Sequence, residues 1–307
     1  MKSPTNPNYW HHYVLSADPW EVAAVIKEEW ITSQNLRIHL DIYEPSAPRE
    51  TTILFVHGTS VYSRFYAEFC YNLYQKGYRI VAPDLIGHGR SEGARGHFTM
   101  TKFVATIHDV TSYILDTYDG TVVVMGSSLG GITALYCAAA DSRLQGAICH
   151  NAAVFNEQAY KWIVQVKGIL KVLLPLIPSF SHLLPKLRLH TKIYLDWKAL
   201  GKTPAGLQAI DEFLLDPLGA LKYTLTSLRT QMREPLAQSL EQITVPVMII
   251  NGTDDVLFPV GQMQAYFDRL QCPYKSLEIL EGASHLILQE HIPETLERIL
   301  PWLDSIS

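Results

Sequence analysis

Cysteine is scarce in this chain and never clustered. The four cysteines, Cys70, Cys137, Cys149 and Cys272, stand far apart with no Cys-x-x-Cys pair, which leaves neither a disulfide framework nor a zinc-ribbon spacing. Cys137 and Cys149 lie in apolar runs, so buried free thiols and a reducing compartment are expected. Long apolar runs are missing too. The greasiest stretch, Ile169 to Ile177, is broken by Lys171 and Pro175 and falls far short of a membrane span. The opening Met1 to Trp10 has no apolar core of the kind a signal peptide carries. A soluble, cytoplasmic protein is the expectation. Positive charge is not in surplus: 25 lysines and arginines against 30 acids leave a net −5, which argues against a nucleic-acid surface. The 12 histidines include no pair at helical spacing with carboxylates, so no metal site is expected. No internal repeat or low-complexity tract is evident.

What the chain does have is core material. With 307 residues, 48% of them hydrophobic, it suits one large α/β domain with an inserted subdomain. Residues 1–27 read as an N-terminal extension with a short helix around Pro19 to Ala24. Glu28 to Thr32 and Leu36 to Tyr43 alternate apolar and polar residues, the pattern of a half-buried antiparallel pair at a sheet edge. From Ile53 the pattern changes to short, near-continuous apolar runs: Ile53 to Val56, Arg79 to Ala82, Val122 to Met125, Gly146 to Cys149 and Val247 to Ile250. Helical stretches at Phe65 to Lys76, Met100 to Thr117 and Leu129 to Asp141 separate most of them. That order implies a mostly parallel, doubly wound sheet covered on both faces. Leu277 to Leu280 adds a late strand and Pro293 to Ser305 a closing helix.

One connection breaks the rhythm. Between Cys149 and Val247 lie about a hundred residues, several times the usual link. They are helical in pattern and rich in proline. The expectation is a core of 1–150 and 244–307, with 151–243 inserted as a helical cap above the carboxyl ends of the strands, where ligands bind in open α/β sheets.

The chemistry centres on Gly126-Ser127-Ser128-Leu129-Gly130. An apolar β-branched run enters it and a small-residue helix leaves it. A serine on such a tight strand-to-helix turn has its hydroxyl pushed out at the sheet edge, and the flanking glycines make room for the neighbouring backbone. Ser128 is therefore a candidate nucleophile. A second copy, Gly89-Arg90-Ser91-Glu92-Gly93, has glycine-rich polar sequence on both sides, so Ser91 reads as loop.

A serine hydroxyl needs a base, and the base needs an acid to hold its tautomer. In this architecture the order is serine, acid, histidine. Asn251-Gly252-Thr253-Asp254-Asp255 follows one late strand, and Glu281-Gly282-Ala283-Ser284-His285 follows the next. Neighbouring residues in an extended loop point to opposite sides, so only one of Asp254 and Asp255 can face His285.

From about Arg37 onward the chain resembles the α/β-hydrolase superfamily. The loops His57-Gly58-Thr59-Ser60 and Asp84-Leu85-Ile86-Gly87-His88-Gly89 resemble most its monoacylglycerol lipase and lysophospholipase branch, which is grouped with the serine aminopeptidases. The resemblance implies Ser128 as nucleophile, Asp255 rather than Asp254 as acid, His285 as base, and the backbone N–H groups of Thr59 and Leu129 as oxyanion hole. Two positions depart from the branch: Ser127 stands where histidine is usual, and Thr59 where a smaller residue is common. A serine rather than an aspartate at the elbow argues against epoxide hydrolase and haloalkane dehalogenase chemistry.

The implied activity is hydrolysis of carboxylic esters with an apolar acyl chain, monoacylglycerol-like or lysophospholipid-like, with no cofactor. Thioesters, lactones and amides stay open within the same chemistry, and a non-catalytic small-ligand-binding member is the alternative from another class. In the insert, Lys161, Gln165, Gly168 and Lys171 recur opposite Trp162, Ile163, Val166, Ile169, Leu170, Leu173 and Leu174. That reads as an amphipathic helix, either an ordinary cap helix over the pocket or a lid making peripheral contact with lipid.

Overall fold

Short runs of valine, isoleucine and their neighbours form the middle of one eight-stranded sheet. The computed structural model describes residues 7–164 and 173–306. In chain order the strands are β1 (Ile26–Ser33), β2 (Leu36–Tyr43), β3 (Thr51–Val56), β4 (Arg79–Pro83), β5 (Thr121–Ser127), β6 (Gly146–His150), the short β7 (Arg188–His190) and β8 (Lys222–Thr224), β9 (Val247–Gly252) and β10 (Ser276–Leu280). Across the large sheet they lie β1-β2-β4-β3-β5-β6-β9-β10. Only β2 runs against its neighbours β1 and β4; every other pair is parallel.

The crossovers set the layers. After the N-terminal helix α1 (Pro19–Val25), the chain steps from β3 to β4 through α2 (Ala67–Gln75), then back over β3 to β5 through α3 (Met100–Thr117). Right-handed connections that move in opposite directions put their helices on opposite faces. Accordingly α3 packs on α4 (Leu129–Ala138), while α2 packs on the C-terminal helix Ile292–Ile306. Covered on both sides, β3 and β4 are buried along their whole length.

Strand β2 departs from the half-buried reading. His39 and Asp41, its polar positions, are fully buried. Asp84 accepts hydrogen bonds there from the backbone N–H and hydroxyl of Ser63 at 2.9 and 2.8 Å and from the Arg90 N–H at 2.8 Å. It also lies 3.1 Å from His39 Nδ1. Arg64 pairs with Asp41 and Glu28. Polar residues on this strand alternate because they face a buried ionic network, with solvent beyond it.

The segment between β6 and β9 is not purely helical. Helices Ile177–Leu183, Pro204–Phe213 and Leu225–Arg233 are joined by the antiparallel ribbon β7–β8, whose three-residue strands are too short to carry a readable period. The amphipathic helix expected across Lys161 to Leu174 is not continuous from its start. The helix Tyr160–Ile163 closes at Val164, which is extended at φ −91° and ψ 124°. Gln165, Val166, Gly168, Ile169, Leu170 and Lys171 lie outside the described residues. Among the described residues that follow, large apolar side chains are exposed at Leu173, Leu176, Phe180 (50% exposed), Leu183 (77%), Leu184 (52%) and Leu187.

A strap from the N-terminal region fastens this insert. The Glu68 carboxylate on α2 accepts the backbone N–H groups of Leu15, Ser16 and Ala17 at 2.6–2.9 Å. Ahead of that anchor, the Tyr9 hydroxyl bonds the Glu212 carbonyl at 2.9 Å and the Tyr13 hydroxyl bonds Asp216 at 2.5 Å. Tyr62 donates to the same Asp216 oxygen at 2.8 Å. Among the described residues, no helix is long and apolar enough to cross a membrane, and all four cysteines are free and buried.

Candidate active site

Ser128 ends the run of β5 with φ +56° and ψ −119°, a conformation that costs a non-glycine residue free energy and that the surroundings must enforce. They do so by close packing. A Cβ on Gly126 would stand 2.2 Å from the Gly130 carbonyl oxygen, and one on Gly130 would stand 2.1 Å from that of Val56. The Ser128 N–H bonds the His150 carbonyl at 2.8 Å, and its own carbonyl accepts from Ile132 in α4.

His285 and Asp255 meet across the ends of β10 and β9. His285 Nδ1 lies 2.7 Å from Asp255 Oδ2. The same oxygen accepts from Asn151 at 3.1 Å, and Oδ1 accepts the N–H groups of Leu257 and Phe258 at 2.8 and 3.1 Å. Burial pushes the Asp255 carboxyl up, but the charge and hydrogen bond of His285 outweigh it and hold the group below the usual carboxylate range. An ionised Asp255 accepts from Nδ1–H and leaves Nε2 free of its proton. Asp254 points the other way, to an ion pair with Lys202 at the surface.

A further imidazole beside this pair escaped the sequence reading. His150 ends β6 in register with Ser127, and its Nδ1 lies 2.8 Å from the Ser127 hydroxyl. Its ring centre is 5.4 Å from that of His285. Complete burial pushes its pKa down to about 3, so the ring is neutral. The signal for it was the alignment of β5 with β6, since the residue beside Ser127 is fixed by the sheet. His150, Asp255 and His285 are close enough together to be weighed as metal ligands. Four hydrogen bonds already saturate the Asp255 carboxylate, while His150 Nε2 is buried without a hydrogen-bond partner.

The loop after β3 approaches the serine closely: a Cβ on Gly58 would lie 3.4 Å from Ser128 Cβ. His57 Nδ1 is 2.9 Å from the Gly58 carbonyl and its Nε2 accepts the Leu85 N–H at 3.0 Å. A carbonyl can only accept, so Nδ1 bears the proton. Burial lowers the His57 pKa and keeps this tautomer uncharged. Its bond to the Gly58 carbonyl orients the peptide whose other end is the Thr59 N–H. Leu129 opens α4, where first-turn N–H groups have no intrahelical acceptor.

The family described as Serine aminopeptidase, S33, matches residues 47–292. The chain belongs to that family of α/β-hydrolases. Among curated relatives, the hydrolase is 23% identical over 280 residues to a monoacylglycerol lipase of Mycolicibacterium smegmatis, covering 88% of this chain and 94% of that one. It is 25% identical to the human monoglyceride lipase, covering 84% and 82%. Among solved structures, the monoacylglycerol lipase of Paleococcus ferrophilus superposes with a TM-score of 0.74 at 23% identity, over 88% of this chain and 99% of that one. By these likenesses the hydrolase resembles the monoacylglycerol lipases.

Ser128 and His285 of the hydrolase open onto one cavity, along with Thr59 and Leu129. Its walls are overwhelmingly apolar. Val61, Phe65, Ile132 and Phe258 come from the sheet side, and Phe155, Leu174, Ile177, Leu195, Trp197, Phe213, Leu228 and Met232 from the insert. Ser91 lies elsewhere: its hydroxyl donates to the Asp84 carbonyl at 2.5 Å and accepts the His39 N–H at 2.8 Å, a bond pattern that fixes the 84–92 loop.

Proposed function

We propose that this hydrolase cleaves carboxylic esters with an apolar acyl chain, with Ser128 as nucleophile, His285 as general base and Asp255 as the acid that orients it. The observation that carries the reading is a buried, ionised Asp255 bonded to His285, together with a backbone-strained serine on one apolar cavity. His285 Nε2 takes the Ser128 proton, and the alkoxide attacks the acyl carbonyl. The developing oxyanion is held by the N–H groups of Thr59 and Leu129. His285 then protonates the leaving alcohol, and a water activated by the same imidazole releases the acid and restores the serine. The chain supplies nucleophile, base and donors itself, so this sequence of steps calls for no cofactor.

The apolar walls and the names of the relatives support a monoacylglycerol-like or lysophospholipid-like substrate. Residues 151–243 act as its cap. The exposed Phe180, Leu183, Leu184 and Leu187 lie beside Lys186 and Arg188 with no acid between them, which supports contact of that edge with a lipid surface. Four buried free thiols support a reducing compartment, in line with a cytoplasmic location. A fluorophosphonate probe tests the core of the proposal: wild type becomes covalently labelled and Ser128→Ala does not. A folded wild type that stays unlabelled would overturn it in favour of ligand binding without turnover.

A further inference from the structure

The insert does more at this site than line the cavity. Ser60, one residue beyond the proposed oxyanion donor Thr59, is buried with φ +66°, a left-handed conformation that costs a serine free energy. Both of its backbone polar groups are held from the insert. Its N–H donates to the Tyr223 hydroxyl on β8 at 2.7 Å, and its carbonyl accepts the Ala220 N–H at 2.8 Å.

The Tyr223 hydroxyl is itself held from the sheet side. It lies 3.0 Å from His88 Nε2, and His88 Nδ1 lies 3.1 Å from the Ile86 carbonyl. Proton directions follow from what each atom can do. The carbonyl accepts, so His88 Nδ1 bears hydrogen. In the neutral ring Nε2 then accepts, and the Tyr223 hydroxyl donates to it. The Tyr223 oxygen is left to receive the Ser60 N–H. Burial drives the His88 pKa well below its ordinary value, which keeps the ring in that state. Ser60, Tyr223, His88 and Ile86 are all buried, and the Ser60 backbone groups, the Tyr223 hydroxyl and both His88 ring nitrogens each have a partner.

We infer that Tyr223 is a positioning residue for the oxyanion loop: from the cap, its hydroxyl, aimed by His88, holds the Thr59–Ser60 peptide in the orientation that transition-state stabilisation requires. His57 fixes the preceding peptide through the Gly58 carbonyl, so the Thr59 N–H lies between two imidazole-anchored bonds, one contributed wholly by the sheet side and one by way of the cap. The inference rests on the oxyanion assignment proposed above.

Tyr223→Phe tests it, because the ring keeps its contacts with Phe98 and His88 and only the hydroxyl is lost. A loop that matters in the transition state alone shifts kcat and not KM. On a soluble butyrate ester, kcat falls on the order of 10- to 100-fold with KM within about twofold, and fluorophosphonate labelling slows in parallel. Tyr136→Phe is the matched control: its hydroxyl also accepts a buried backbone N–H, that of Phe155, at 3.0 Å, and its loss leaves kcat within about twofold. Hydrogen exchange of the 57–66 segment, faster in Tyr223→Phe, reads the clamp independently of activity. An active wild type whose folded Tyr223→Phe keeps its kcat and its exchange rate overturns the inference. A loss confined to KM does the same. An inactive wild type with accelerated exchange in the variant instead indicts the catalytic reading and leaves the clamp standing. Should Tyr223→Phe not fold, His88→Leu, which strips the hydroxyl of its acceptor, is expected to show the same kcat-selected loss at smaller size, and its absence overturns the inference equally.

Discussion

The two halves of the insert are built on different terms. Trp197, Phe213, Tyr223 and Leu225 are buried, and this half is bonded to both the N-terminal strap and the loop beside Ser128. The earlier half, from Leu173 to Leu187, turns large apolar side chains outward and is tied down less. Its bonds to the rest run mostly within the insert, as from Leu225 to the Leu187 carbonyl and from Thr226 to the Pro185 carbonyl. The insert thus combines a rigid part bonded to the loop beside Ser128 with an edge whose apolar side chains face outward. Position in the insert therefore does not predict which kind of defect a mutation causes; the partner of the side chain does.

The largest expected effects lie outside the insert and calibrate the comparison. Ser128→Ala and His285→Ala each lower kcat by roughly 10⁴- to 10⁶-fold while the fold persists, with equal losses for acetate and long-chain esters. Asp255→Asn costs on the order of 10⁴-fold, and Asp254→Asn leaves activity near wild type because that carboxylate is spent on Lys202. A damaging Asp254→Asn would mean that the acid has been misassigned.

At the outward edge, Leu183→Asp lowers binding to phospholipid vesicles, and turnover of a long-chain monoacylglycerol presented in them, by about tenfold or more, since burying one leucine is worth about 1.5–3 kcal/mol. Soluble butyrate ester turnover stays within about twofold. Leu173→Asp behaves alike. Equal losses on both substrates would erase the distinction between the two halves.

The smallest effect separates His150 from the neighbouring His285. An unfolded imidazole takes a proton near 6.5, whereas native His150 holds none until about 3. Its contribution to stability is complete above 6.5 and declines as the pH falls from there towards 3, by about 1.36 kcal/mol per pH unit. Buried His57 and His88 act in the same direction. His39 opposes them: burial lowers its pKa, but Asp84 more than reverses this, so its contribution is present below 6.5 and fades above. Urea titrations between pH 4 and 6 should give a shallower slope for His150→Gln by about one proton. An unchanged slope would mean that the native ring is charged.

Much of the sheet was legible because its strands are continuous apolar runs, which solvent-facing segments do not produce. The Met100–Thr117 helix and the antiparallel β1–β2 pair lie where the sequence put them. The elbow was legible for the same reason, as glycines on either side of Ser128 answer a close approach of backbone. Strand β2 misled: alternation reports polar contact, and the contact there is Asp84 and Arg64 rather than water. His150 was hidden because its relation to Ser127 exists only across the sheet register. The insert resisted most. Its elements are short, and Tyr223 acquires its meaning from Ser60 and His88, well over a hundred residues earlier.

The strap also bears on the order in which this chain can be assembled. Tyr13 waits for Asp216, 203 residues downstream, so a nascent chain leaving the ribosome exposes the clasp long before there is anything to fasten. The entropy lost on closing a loop grows only logarithmically with its length, so the delay is kinetic rather than thermodynamic. Strands β3 to β6 can pair while the insert is still being made, and β9 and β10 join them only after it. On that order of synthesis the clasp closes among the last contacts, after the insert that it fastens.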